Sequence, residues 1–153
     1  MRTASRTAAP TQIMSCELCE QDGGHVLWRD ASCRIVYIDE PGYSGFCRVI
    51  WGAHVKEMTD LPAEARAALM RAVFAVENVL REVLRPHKVN LASLGNMTPH
   101  LHWHVIPRFE NDPHFPNPIW GGRIRAPAPT DGPKLMAELR RALGQYLGAS
   151  RSD

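Results

Sequence analysis

The chain has 153 residues, a length that fits one domain. Apolar residues make up 44% and charged residues 22%, with 18 Lys+Arg against 16 Asp+Glu for a net charge of +2. That balance argues against a protein that grips a nucleic-acid polymer by bulk charge, and no run approaches the ~18 apolar residues of a membrane span.

Residues 1–14, rich in Ser, Thr, Ala and Pro, read as a disordered tail ahead of a single domain over 15–149. They hold no apolar stretch of a secretory signal, so the cytoplasm is the expected compartment and the four cysteines are expected to be reduced. Residues 25–30 (HVLWRD) and 33–39 (CRIVYID) are β-branched and aromatic around a tight turn, which predicts a hairpin. After a turn at 40–45, FCRVIW over 46–51 predicts a third strand. From Pro62 the period becomes helical: Leu69, Ala72, Val73, Val76, Leu80, Val83 and Leu84 form one stripe, and Pro86 ends it. Two more strands are expected over 89–94 and 101–108. The stretch 109–130, with repeated prolines and Phe115 and Trp120, reads as an ordered covering loop. Asp131-Gly132-Pro133 then opens a last helix over 131–148. The order predicts an α+β domain: an antiparallel sheet of about five strands with its core ending near residue 108, one long helix and a C-terminal helix.

Three of the seven histidines fall in HLHWHV, residues 100–105. On a strand His100, His102 and His104 share one face, while Leu101, Trp103 and Val105 form an apolar face that packs on a helix. Residues i and i+4 of a strand lie roughly 13 Å apart, too far for both imidazoles to bind one ion. Divided labour suits the pattern better, with one neutral imidazole as nucleophile and its neighbours binding an anion. His25, His87 and His114 read as surface histidines. Cys16-Glu17-Leu18-Cys19 is a C-x-x-C pair, open to a zinc clamp, a redox pair or two incidental thiols. Cys33 and Cys47 fall inside strand patterns and read as small buried residues.

The segment HLHWHV resembles the His-x-His-x-His-x-x signature of the histidine-triad (HIT) superfamily of nucleotide hydrolases and transferases. Asp39, Gly45, the strand through Trp51, His54, the following helix, and Gly95 and Asn96 before the triad stand in the order of that family, over residues 16–108. LGNMTPHLHWHVIPRF and the downstream HFPNPIW are most similar to the diadenosine-tetraphosphate-hydrolase-like subgroup.

The resemblance implies an enzyme in which His102 attacks the α-phosphorus of a nucleotide or dinucleoside polyphosphate. A nucleotidyl-histidine forms and water then releases the nucleoside monophosphate, in a phosphoanhydride or phosphoramidate hydrolase. His104 is expected to bind phosphate oxygens, with Gly95, Asn96, Thr98 and Asn90 near the phosphates and Asp39 on the ribose. Arg108, by its position just after the triad, reads either as a phosphate contact or as a solvated strand-end arginine. The resemblance also implies a structural zinc on Cys16, Cys19, His54 and His100, and a homodimer with a continuous sheet. A phosphorylase or other nucleotidyltransferase, and a nucleotide-binding regulatory module with little turnover, are the alternatives. The chain departs from many members at Asn96 and Met97, where they carry Gln and then Ser or Thr; Met97 has no hydroxyl to help protonate a leaving group.

Overall fold

The computed structural model describes residues 15–152; the expected tail over 1–14 lies outside the described residues. A single turn of helix, α1 (Glu17–Glu20), precedes the hairpin β1 (His25–Arg29) and β2 (Cys33–Tyr37). Asp30 closes that hairpin: its Oδ1 accepts from the amides of Ser32 at 2.7 Å and Cys33 at 2.8 Å, a side chain standing in for a backbone turn. β3 (Cys47–Trp51) follows, then α2 (Ala63–Leu84), β4 (Lys88–Ala92), β5 (His102–Arg108) and α3 (Gly132–Leu147). All pairings are antiparallel, in the order β1-β2-β3-β5-β4. This is the expected α+β architecture.

α2 ends at Arg85, whose φ of 49° lies in the left-handed region, and Pro86 prevents continuation. α3 starts under an Asp131 cap on the Lys134 amide, with Pro133 in the first turn. Leu69, Val73, Val76 and Leu80 of α2 are all at most 1% exposed and press on Ile35, Val49, Leu101 and Val105. Each such side chain contributes about 1.5–3 kcal/mol on burial, so this side of the sheet is the one the fold commits to its main core. Alternation then turns Arg48, Ile50, His102 and His104 to the other side. The face that α2 and α3 leave open is the face that carries the histidines, with Leu18 of α1 packed on it at Val36 and Ile50.

The C-terminal segment is tied back to β1, where Trp28 Nε1 donates to the Gly148 carbonyl at 3.0 Å and the Arg151 amide to the Arg29 carbonyl at 2.9 Å. Among the described residues no helix is long and apolar enough to cross a membrane.

Candidate active site

His102 opens β5, and its Nδ1 lies 2.6 Å from the His100 carbonyl. A carbonyl only accepts, so Nδ1 carries the proton and the lone pair of the neutral ring stays on Nε2. Burial lowers the His102 pKa and the charge of Arg48 lowers it further, against the opposing bond to His100. A neutral imidazole with an open Nε2 is the nucleophilic form.

His104 is the next residue on the same face, with its ring 4.9 Å from that of His102. Burial first, then His102 and Arg48, push its pKa down to about 3. Its Nδ1 is buried without a hydrogen-bond partner among the described residues. Trp120, from the proline-rich loop, meets His104 edge to face at 5.0 Å. Both histidines line a cleft of about 400 Å³, a volume suited to a small ligand, with Gly95, Asn96, Thr98 and Trp120 on its walls. Gly95 has φ 74°, a conformation glycine adopts without strain, and it turns the chain into the segment before the triad.

His100 faces elsewhere. Its Nε2 lies 2.6 Å from the Trp51 carbonyl, which fixes the proton there and leaves the lone pair on Nδ1. That Nδ1 lies 3.4 Å from each of Cys16 Sγ, Cys19 Sγ and His54 Nδ1, and Cys19 Sγ lies 3.4 Å from His54 Nδ1. All four donor atoms fall within 4.8 Å of one another. Tetrahedral bonds of about 2.0–2.3 Å place neighbouring ligand atoms about 3.3–3.8 Å apart, so the spacing fits one ion. A carbonyl holding the far nitrogen of a histidine is also the support that metal-bound imidazoles have. The cluster can therefore hold a metal.

The other expected contact residues are placed away from this cleft. Asp39 Oδ2 accepts from His25 Nε2 at 2.7 Å and lines a separate hollow with Tyr37 and Thr130. Asn90 and Arg108 line a groove of about 660 Å³ beside β4, which meets the cleft at Trp120. Arg108 is 2% exposed and fully engaged: Nε and Nη2 donate to Asp112 at 2.7 and 3.1 Å, Nη1 to Asn90, and Nη2 to the Asn117 carbonyl. Its charge is satisfied within the protein. His114, expected on the surface, is 8% exposed with Nδ1 2.6 Å from the Tyr43 hydroxyl, because Asp112 folds the loop inward around it.

Sequence reasoning missed four residues of the cleft: Glu17, Leu18, Arg48 and Leu94. Arg48 pairs directly with His104 across β3 and β5. Strand parity relative to Val49 carried that signal, since an arginine one residue from the core side must face the histidines.

The family model of the HIT domain matches residues 20–111. Over 149 residues the chain is 30% identical to the AP-4-A phosphorylase of Mycobacterium tuberculosis (strain H37Rv), covering 93% of this chain and 73% of that protein. Among solved structures, it is similar to a histidine triad protein from Bradyrhizobium japonicum, with TM-score 0.69, 26% identity and coverage of 80% of this chain and 92% of that one. A histidine triad protein from Marinobacter aquaeolei gives TM-score 0.67 and 26% identity over 86% of this chain and 93% of that one. Sequence and fold agree with the histidine geometry: the chain belongs to the HIT family.

Proposed function

We propose that this protein is a nucleotidyl-transferring hydrolase that opens a phosphoanhydride at the α-phosphate of a dinucleoside polyphosphate through His102. The observation that carries the reading is the hydrogen bond from His102 Nδ1–H to the His100 carbonyl, which leaves Nε2 unprotonated beside the cleft. Nε2 forms a bond to the α-phosphorus as the bridging P–O bond breaks, and the electron pair leaves on the departing phosphate. In the second step water attacks that phosphorus, the P–N pair returns to Nε2, and the water's proton passes to solvent. His104 and the segment from Gly95 to Thr98 supply donors to the phosphate oxygens, placed before the charge develops.

A second reading exchanges water for inorganic phosphate, and the 30% identity to an AP-4-A phosphorylase favours it. One assay separates the two. Diadenosine tetraphosphate is incubated with and without phosphate, rapidly quenched, and both protein and products are weighed by mass spectrometry. A nucleoside-monophosphate adduct on His102 is expected, with AMP as product if water accepts and ADP if phosphate does. Covalent nucleotidyl transfer typically depends wholly on its nucleophile, so His102→Ala should lose about 10⁴-fold or more in turnover. Undiminished turnover in that variant defeats the reading. Tight AMP binding without turnover of any nucleotide identifies a binding module instead.

The reading includes a structural zinc on Cys16, Cys19, His54 and His100, with thiols kept reduced in the cytoplasm. When bound, zinc supplies a cross-link between the segment before β1 and the start of the triad, leaving His102 free. It also includes a homodimer joined edge to edge, because β4 is an edge strand that pairs only with β5 among the described strands. Sedimentation at micromolar concentration should give twice the chain mass.

A further inference from the structure

Arg48 is the one lysine or arginine among the described residues lining the His102 cleft. It sits on β3 directly opposite His104. Its Nε is buried with no hydrogen-bond partner, and no ion pair joins its guanidinium to a described carboxylate. Glu17 and Glu40 attract it only from a distance, while burial weighs against its charge. A guanidinium stays charged regardless, and an unpaired charge in a half-buried site costs free energy. Arg108, one strand away, shows what a satisfied arginine looks like in this fold, with every direction of its fork taken.

The ring of His104, kept neutral by burial and by its neighbours His102 and Arg48, offers a phosphate a hydrogen bond and no positive charge. Lys56 lines a smaller hollow of about 280 Å³ that shares Leu94, Gly95 and His102 with the cleft, but Lys56 itself is exposed to solvent. A phosphate that leaves the α-phosphorus departs as an anion and gains from a fixed positive charge. An amine leaving a phosphoramidate must instead pick up a proton and gains nothing from one.

We propose that Arg48 is the specificity-determining residue of this site: its guanidinium binds the phosphoryl group next to the reacting α-phosphate and so selects nucleoside polyphosphates over nucleoside phosphoramidates. The proposal rests on nucleotidyl transfer at this cleft. As His102 Nε2 bonds to the α-phosphorus and the bridging P–O bond breaks, the electron pair settles on an oxygen held by Arg48. An attacking inorganic phosphate enters the same place, since forming that anhydride is the same step reversed.

The test compares the wild type with Arg48→Met, Arg48→Lys and Lys56→Met. Calorimetry reads affinity for AMP and for ADP, which carries the second phosphoryl group without being a dinucleotide substrate. Charge-assisted hydrogen bonds are worth about 10- to 100-fold in affinity, so Arg48→Met should weaken ADP by that factor and AMP by no more than about threefold. Arg48→Lys should recover part of the loss, and Lys56→Met should keep the ADP preference. In turnover, kcat/KM of Arg48→Met should fall about 10- to 100-fold for diadenosine tetraphosphate and stay within about threefold for adenosine 5′-phosphoramidate. Where phosphate is the acceptor, its half-saturating concentration should rise by the same factor, which separates a free phosphate from a leaving one. Equal losses for both ligands or both substrates, or an unchanged ADP affinity, overturn the proposal. The binding arm needs no turnover, so a failure of the His102 chemistry leaves the Arg48 result readable, and the reverse also holds.

Discussion

Strand β5 and the turn before it are braced at both ends, by two arrangements built on opposite principles. At the Arg108 end the cation is part of the chain. The side chains of Arg108 and Asp112 are both buried, and Asp112 also accepts from the amides of His114 and Phe115. At the His100 end four donors of electron pairs converge from separate segments of the chain, a set that can hold a metal. The first network is closed by the chain's own charges, and the second is a set of electron-pair donors whose spacing fits one ion. The two ends therefore answer different perturbations, although both position the same pair of histidines between them.

The sharpest way to break the Arg108 end is to remove its acid. Asp112→Ala leaves a buried guanidinium unpaired, which costs about 3–5 kcal/mol. It also frees the loop that carries Trp120 onto His104. Urea unfolding should show the loss with or without a chelator. A change below about 1 kcal/mol would mean that water replaces the carboxylate and that the network is not a brace.

The His100 end should respond to metal alone. At free zinc about 100 times its dissociation constant, a site present only in the folded chain adds about 2.7 kcal/mol. A chelator should lower the urea midpoint accordingly, and Cys16→Ser with Cys19→Ser should remove the zinc-dependent part. Identical midpoints with zinc and with chelator would refute the metal reading of this end.

Much of this contrast was hidden in the sequence for a physical reason. Alternation through Leu101, Trp103 and Val105 gives the buried side of β5, and the stripe from Leu69 to Leu84 gives the helix that covers it. The triad stands out because few other roles need three histidines so spaced, whereas C-x-x-C alone leaves metal, redox and incidental roles open. Arg108 and Asp112 are four apart where strand passes into loop, and no periodic rule joins residues across such a boundary. Asp112 is invisible as a core residue because a carboxylate is buried only when its partners are known. The same blindness placed His114 on the surface and left Arg48 unremarked, since an arginine in an alternating strand reads as a solvated one. The one-residue step from Val49 to Arg48 becomes informative only once α2 has claimed the Val49 side.

Acid sharpens the comparison with the smallest of these effects. Burial alone would raise the Asp112 carboxyl, but the Arg108 hydrogen bond and the amides of His114 and Phe115 hold it at about 2, below its ordinary value of 3.8. A carboxylate depressed in the folded state contributes stability that is complete above its unfolded value and is lost as pH falls through the folded one. The contribution here is about 2 kcal/mol, present above about pH 4 and fading towards pH 2. Metal ligands compete with protons as well, so the measurement belongs in chelator, where only the Arg108 end is tested. Urea midpoints of the wild type should fall between pH 4 and pH 2 more steeply than those of Asp112→Asn, which has no acid to protonate. Parallel slopes would show that other carboxylates carry the acid limb, and that the Asp112 end owes its strength to its hydrogen bonds and not to its charge.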